Sequence, residues 1–258
     1  MPAAFPSDSR RRAAETGPDS RRIVALDTLR GLTILSMVAF HAMYDLAYLY
    51  GMDLPWFTGT PFQAAWRISI SGTFLLLAGW MTSLSRNNLR RAVLYAVAAG
   101  TVWAATTVAA VDTPVNFGIL FCMAASTAIW WALERLAARR CDGLPCIAFI
   151  LLAAASLAAA LVLWDVPHRV YAFPGLAWLG FPYAGFASGD YYPLVPFGFL
   201  YLAGALAAAA WKRSGAAYPA WMMGDPLPPL AFVGRHSLIV YLLHQPIILG
   251  ALALAMGS

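Results

Sequence analysis

An all-α bundle of about seven membrane-spanning helices, its N-terminus cytosolic, is the fold class this sequence predicts. Three observations carry that prediction. Apolar residues make up 61% of the chain and charged residues only 11%, where soluble domains carry about one-quarter charged residues. The apolar residues gather into runs of about 20, the length that crosses a bilayer as a helix. The basic residues concentrate in alternate loops, the asymmetry that orients membrane proteins.

The first stretch, residues 1–20, contains Pro2, Pro6, Arg10, Arg11, Arg12, Gly17 and Pro18. Polar and punctuated, it reads as a disordered cytosolic tail. The apolar segment behind it is too long for the h-region of a signal peptide. Residues 21–258 then form one integral-membrane domain. The predicted spans are Ile23–Leu49, Gln63–Leu84, Ala92–Val111, Phe117–Leu136, Ile147–Trp164, Leu194–Trp211 and Phe232–Met256. The fifth, rich in Ala and Leu, reads as lipid-facing scaffold.

Arg21 and Arg22 precede the first span; Arg86, Arg90 and Arg91 follow the second; Arg135, Arg139 and Arg140 follow the fourth; Lys212 and Arg213 follow the sixth. Of the alternate loops, only the one with Arg169 carries a basic residue between spans. The N-terminus is therefore expected inside and the C-terminus outside. This dispersal also accounts for the net charge of +5 without a nucleic-acid partner. The outer loop Asp165–Pro193 is long and aromatic, with Tyr171, Trp178, Tyr183, Tyr191 and Tyr192 among its residues. It reads either as a lid over an outward pocket or as an aromatic belt on the headgroups. Cys122, Cys141 and Cys146 are an odd count and are expected as free thiols. No zinc-like ligand spacing is present.

Ionisable residues inside a span are costly and mark functional sites. At about 100° per residue, Asp27, Arg30, His41 and Asp45 fall on one stripe of the first span. Asp27 and Arg30, one turn apart, can pair near the cytosolic end. His41 stands about 16 Å further along, towards the outside. Asp45 follows one turn later and is expected to orient the His41 imidazole as a general base. Arg67 enters the second span at a similar depth, placed to clamp an acceptor group or a developing oxyanion, with Ser71 one turn deeper. In the last span Ser237, Tyr241 and His244 share a face, followed by Gln245 and Pro246. Pro246 removes a backbone hydrogen bond, and broken polar helices at membrane depth line cavities. Arg235, with Arg86, Arg90 and Arg91, is placed to hold phosphates on the cytosolic side.

The run Leu26-Asp27-Thr28-Leu29-Arg30-Gly31-Leu32, with Met37 and His41 behind it, resembles the integral-membrane acyltransferases. The segment Gly189-Asp190-Tyr191-Tyr192-Pro193-Leu194 and the C-terminal Gly234-Arg235-His236-Ser237-Leu238 with Tyr241, His244, Gln245 and Pro246 narrow the resemblance. Together they resemble the bacterial members of the heparan-alpha-glucosaminide N-acetyltransferase catalytic-domain family. Arg30 and His41 also match the Arg-to-His spacing of the related acyltransferase 3 group. The resemblance implies a multi-pass protein of the bacterial inner membrane. It implies acetyl-CoA as a co-substrate, with no permanently bound cofactor. The implied reaction transfers acetyl to an amino sugar or other envelope glycan across the bilayer. Eukaryotic members place a catalytic His in the first luminal loop. Residues Gly51 to Phe62 contain none, so the base falls to His41 or, second, His244.

On that reading His41, Asp45 and Arg67 are catalytic. Arg30, Arg235, Arg86, Arg90 and Arg91 hold the donor. Asp27, Ser71, Ser237, Tyr241, His244 and Gln245 line the substrate pore. Two alternatives remain open: a proton-coupled transporter or flippase using the same charges, and a haem protein ligated by His41 and His244. The expected partners are the lipid bilayer, acetyl-CoA and the amino-sugar or envelope-glycan acceptor, with a homo-oligomer left open.

Overall fold

The structure is a computed structural model that describes residues 22–137 and 143–256. The N-terminal tail, Arg139, Arg140 and Cys141 lie outside the described residues. Within them the fold is helical, with no named strand. Helix α1 (Val24–Tyr44) ends in one π-helical turn, Asp45–Leu49. It is followed by α2 (Pro61–Trp80), α3 (Asn88–Ala109), α4 (Ile119–Ala137), α5 (Cys146–Val162) and α6 (Leu194–Ser214). A short α7 (Pro228–Arg235) and α8 (Ser237–Met256) complete the chain.

Six helical segments are long and apolar enough to span a membrane. The exception among the seven predicted spans is α2. Its Arg67, Ser69, Ser71 and Thr73 depress its hydropathy, yet it packs between α1 and α6 near the middle of the bundle. A helix that faces protein and a polar cavity has less need of an apolar surface than one facing lipid. The local signals for its start are clear. The Thr60 hydroxyl accepts from the Gln63 amide at 3.2 Å, and Pro61 takes the first position. Asn87 caps α3 in the same way, through Arg90 N–H at 2.9 Å.

The predicted last span is corrected in one respect. It breaks at His236, between α7 and α8, rather than at Pro246, which α8 carries in its interior. Neighbouring helices tolerate an intramembrane proline.

Glycines set the two tightest crossings. A Cβ on Gly31 would strike the Leu230 carbonyl, and one on Gly234 would strike the Asp27 carbonyl. Helix α1 and α7 therefore meet backbone to backbone. The pair Gly79 and Gly204 does the same for α2 and α6, against the carbonyls of Tyr201 and Leu76. Such contacts replace the hydrophobic effect as the source of helix association in lipid. Around them, Thr127 and Tyr201 share a buried hydroxyl contact of 2.7 Å, and Trp66 donates to Ser36 at 2.8 Å. Helix α5 packs on α6 and contributes no side chain to the cavity described below. Cys122 and Cys146 are free thiols.

Helices α1 to α6 alternate in direction, α7 runs antiparallel to α1 and α8 returns, so two faces emerge. One, here the basic face, carries Arg22, Arg86, Arg90, Arg91, Lys212, Arg213 and Arg235. The other, the loop face, carries residues 50–60, 110–118 and 163–193.

Candidate active site

A cavity of about 290 Å³ threads the bundle between α1, α2, α3, α4 and α8. Its walls include Arg30 and Arg91 towards the basic face and His41, Arg67, Asp190 and Tyr192 towards the loop face. Between them lie mostly apolar side chains, such as Met37, Phe74, Leu77 and Met123. From Arg30 to His41 the channel runs about 16 Å along α1. Its volume is at the low end for a small-molecule pocket. A narrow passage of this length suits a linear chain better than a fused ring system.

At the basic end, buried Asp27 accepts from Arg30 Nη1 at 3.3 Å and from Arg22. Arg30 Nη1 also reaches the Gly234 carbonyl at 3.3 Å. The predicted Asp27–Arg30 pair is thus present, but Asp27 lies behind Arg30 and not on the cavity wall. Its carboxylate fixes the guanidinium and leaves that charge facing the channel. Arg91 is held similarly, donating to Asn88 Oδ1 at 3.4 Å, Tyr95 Oη at 3.3 Å and the Ala78 carbonyl at 3.5 Å. Arg86, Arg90 and Arg235 are exposed at the same face, outside the cavity lining.

At the loop end, the sequence-based pairing of His41 with Asp45 is corrected. The Asp45 carboxylate is buried and accepts both of its hydrogen bonds from Gln245 Nε2, at 3.0 and 2.9 Å. No hydrogen bond joins it to His41 among the described residues. The amide of α8 takes both oxygens, so the pair locks α8 to the end of α1. The neighbour of His41 is instead His244, ring centroid to ring centroid 4.9 Å. His244 Nδ1 faces the Tyr241 carbonyl, while its Nε2 is buried with no hydrogen-bond partner. A carbonyl only accepts, so Nδ1 carries the proton and the Nε2 lone pair is left free. The two rings stand against each other with no gap for a porphyrin, so they are not a facing pair of haem ligands. Ser71, Ser237 and Tyr241 line the cavity; His244 and Gln245 sit behind its wall.

The chain matches the family described as "Heparan-alpha-glucosaminide N-acetyltransferase, catalytic" over residues 22–246. It belongs to that family. Searches of curated proteins and of solved structures return no match. The matched region takes in all three sequence motifs, and the structure gives them physical roles. Gly31 and Gly234 create the α1–α7 crossing, and Arg30 and His41 face the channel.

The middle motif, Gly189 to Leu194, supplies two cavity residues that were not among the sequence-based site residues. Asp190 Oδ2 accepts from the Ile119 amide at 3.3 Å, at the first residue of α4. The Tyr192 hydroxyl faces Ser71, and Arg67 lies near enough for its charge to act on both Asp190 and Tyr192. Loop 112–118 holds this segment in place: Gly189 N–H donates to the Pro114 carbonyl at 3.2 Å and Tyr192 N–H to the Phe117 carbonyl at 3.0 Å. Phe117 adopts a left-handed φ of 58° to do so, an uncommon conformation for an aromatic residue. The signal was in the sequence, in the Gly-Asp-Tyr-Tyr-Pro run, but its depth depends on a long-range loop pairing.

Burial raises the Asp190 carboxyl to about 6, opposed by the Ile119 amide and the Arg67 charge. A carboxyl raised on folding favours the native state most below its unfolded value and loses that contribution as pH rises through its folded value. Thermal melts in detergent are therefore expected to show wild-type stability falling between about pH 4 and pH 7. Asp190→Asn, which keeps the acceptor oxygen for Ile119, flattens that slope. An unchanged slope in the variant would show that Asp190 titrates as an ordinary surface carboxylate.

Proposed function

We propose that this protein is an acetyl-CoA-dependent acetyltransferase that carries acetyl across the plasma membrane, from a cytosolic donor to a sugar or other glycan acceptor on the far side. What carries the reading is the continuous channel, in a member of this family, between two arginines at the basic face and a histidine at the loop face. The positive-inside rule puts the basic face in the cytosol. The nucleotide of the donor stays outside, its phosphates near Arg235, Arg86 and Arg90, while the thioester arm extends past Arg30 and Arg91 to His41.

His41 acts as general base. It removes a proton from the acceptor N–H or O–H as that atom attacks the thioester carbonyl carbon. The carbonyl oxygen gathers negative charge opposite Arg67. The C–S bond then breaks, and the proton on His41 passes to the departing thiolate. His244, its ring centroid 4.9 Å from that of His41, orients the His41 ring by packing against it, the role first expected of Asp45. Asp190 and Tyr192 hold the acceptor at the loop end.

Labelled acetyl-CoA presented to the purified protein with a panel of amino sugars and envelope glycans tests the reading. Acceptor-dependent CoA release is expected, with label on the acceptor; CoA release without any acetylated product overturns it. Within that assay Arg91→Ala is expected to raise KM for acetyl-CoA about tenfold, the scale of one lost charge-assisted hydrogen bond. Its kcat changes little, as for contacts made equally in ground and transition states. A fall in kcat with KM unchanged would remove Arg91 from donor binding.

A further inference from the structure

A second, larger space lies on the outer surface of the bundle. A groove of about 710 Å³ separates α3 from α4. Small residues make it: Ala96, Ala99 and Gly100 on α3 oppose Ala124, Ala125 and Ala128 on α4. A Cβ built on Gly100 meets nothing within 4 Å, so no side chain of the protein fills the slot there. From Leu89 to Trp103 the groove follows α3 for about 21 Å, a distance comparable to most of the hydrocarbon thickness. The flanking surface of α3, with Val93 and Val97 more than half exposed, is lipid-facing. The occupant therefore comes from the bilayer and has a long hydrocarbon chain.

What sits at the ends of this groove fixes the rest of the occupant. Leu120 and Tyr241 wall both the groove and the channel. At the loop face the groove ends at the Asn116 amide, with Phe117 and Gly118 beside it. A Cβ on Gly118 would lie 2.9 Å from Asp190 Oδ2. A chain lying in the groove thus delivers its head to Asp190, Arg67 and His41. A free lipid with a bulky choline-type head gains nothing from that juxtaposition; a chain bearing a sugar does.

We propose that the acceptor is membrane-anchored: a sugar carried on a long hydrocarbon chain, which enters sideways from the bilayer with its chain between α3 and α4 and its sugar at the loop end of the channel. The proposal rests on the acetyltransferase reading above and names the substrate class for that site.

Two probes separate the claims. The first is a pair of glucosamine glycosides, one with a methyl and one with an octadecyl aglycone, assayed for acetyl transfer in nanodiscs. The second is the octadecyl glycoside carrying a diazirine at mid-chain, used for photolabelling without acetyl-CoA. The octadecyl glycoside is expected to show at least tenfold higher kcat/KM, and its diazirine to label residues 89–103 and 117–128. Gly100→Trp fills the slot, abolishing the label and the tenfold preference while transfer to the methyl glycoside persists. Val97→Trp, on the lipid-facing side of α3, changes neither. Equal rates on the two glycosides, or a label that Gly100→Trp leaves intact, overturns the proposal. So does equal labelling by a diazirine lipid without a sugar, which would make the groove a site for ordinary bilayer lipid. Chain- and sugar-dependent labelling with no transfer to either glycoside supports the groove and overturns the acetyltransferase reading instead.

Discussion

His41→Ala is expected to lower acetyl transfer by about 10²–10⁴-fold, the usual contribution of a positioned general base, while the protein keeps its folded, monodisperse state. His41 is the histidine on the channel wall. The loop between α1 and α2 has no histidine to replace it. The imidazole beside it, His244, lies behind the wall with one nitrogen committed to the Tyr241 carbonyl. His244→Ala is expected to have a smaller effect, because it removes the orienting neighbour and leaves the base. The diagnostic is the pH profile. His244→Ala should shift the ionisation that controls kcat/KM, and His244→Phe, which keeps a ring against His41, should recover part of the rate. Equal losses in His41→Ala and His244→Ala, without a shift in the profile, would make the two histidines a structural unit and remove His41 as the base.

The second large effect is on stability. Gly234→Val is expected to cost more than about 3 kcal/mol, at or beyond the upper end for overpacked sites. Its side chain would have to occupy the place of the Asp27 carbonyl. No rotamer relieves that clash, since the Cβ itself overlaps the backbone. The readout is the unfolding midpoint in detergent, with Gly234→Ala as the milder member of the series and Gly100→Ala as the control in open space. The loss has a functional echo. Arg30 bonds to the Gly234 carbonyl at 3.3 Å, so any separation of α7 from α1 also releases a channel guanidinium. A Gly234→Val protein as stable as wild type would show that the α1–α7 crossing opens freely.

The stripe on the first span was legible because Asp27, Arg30 and His41 are conspicuous in an apolar run, and a helix has one periodicity to place them. Arg67 and Ser71 were legible for the same reason, and the structure sets them on the same channel. The partner of Asp45 was not. Spacing along α1 made His41 a candidate, but Gln245 competes from 200 positions away, and sequence spacing carries no weight across such a distance. The helix break shows a similar limit. Pro246 is the stronger local breaker, yet α8 runs through it and the chain breaks at His236, where α7 is held against α1 by the two glycines. Asp190 and Tyr192 were visible as a motif and hidden as a site. Their position depends on the pairing of loop 188–192 with loop 112–118, which neither segment announces alone. The lipid-facing groove could not be read at all, because runs of Ala and Gly describe close helix packing and an open slot equally well.

The central claim is that one channel joins a donor on the basic face to an acceptor on the loop face. Proteoliposomes test it most directly. Protein inserted with the basic face outward is given labelled acetyl-CoA outside and an amino-sugar acceptor sealed inside. Label is predicted on the enclosed acceptor, with one free CoA left outside for each acetyl transferred, and both are lost in His41→Ala. Label confined to acceptor on the same side as the CoA would contradict the claim. So would movement of the acceptor across the membrane without CoA release.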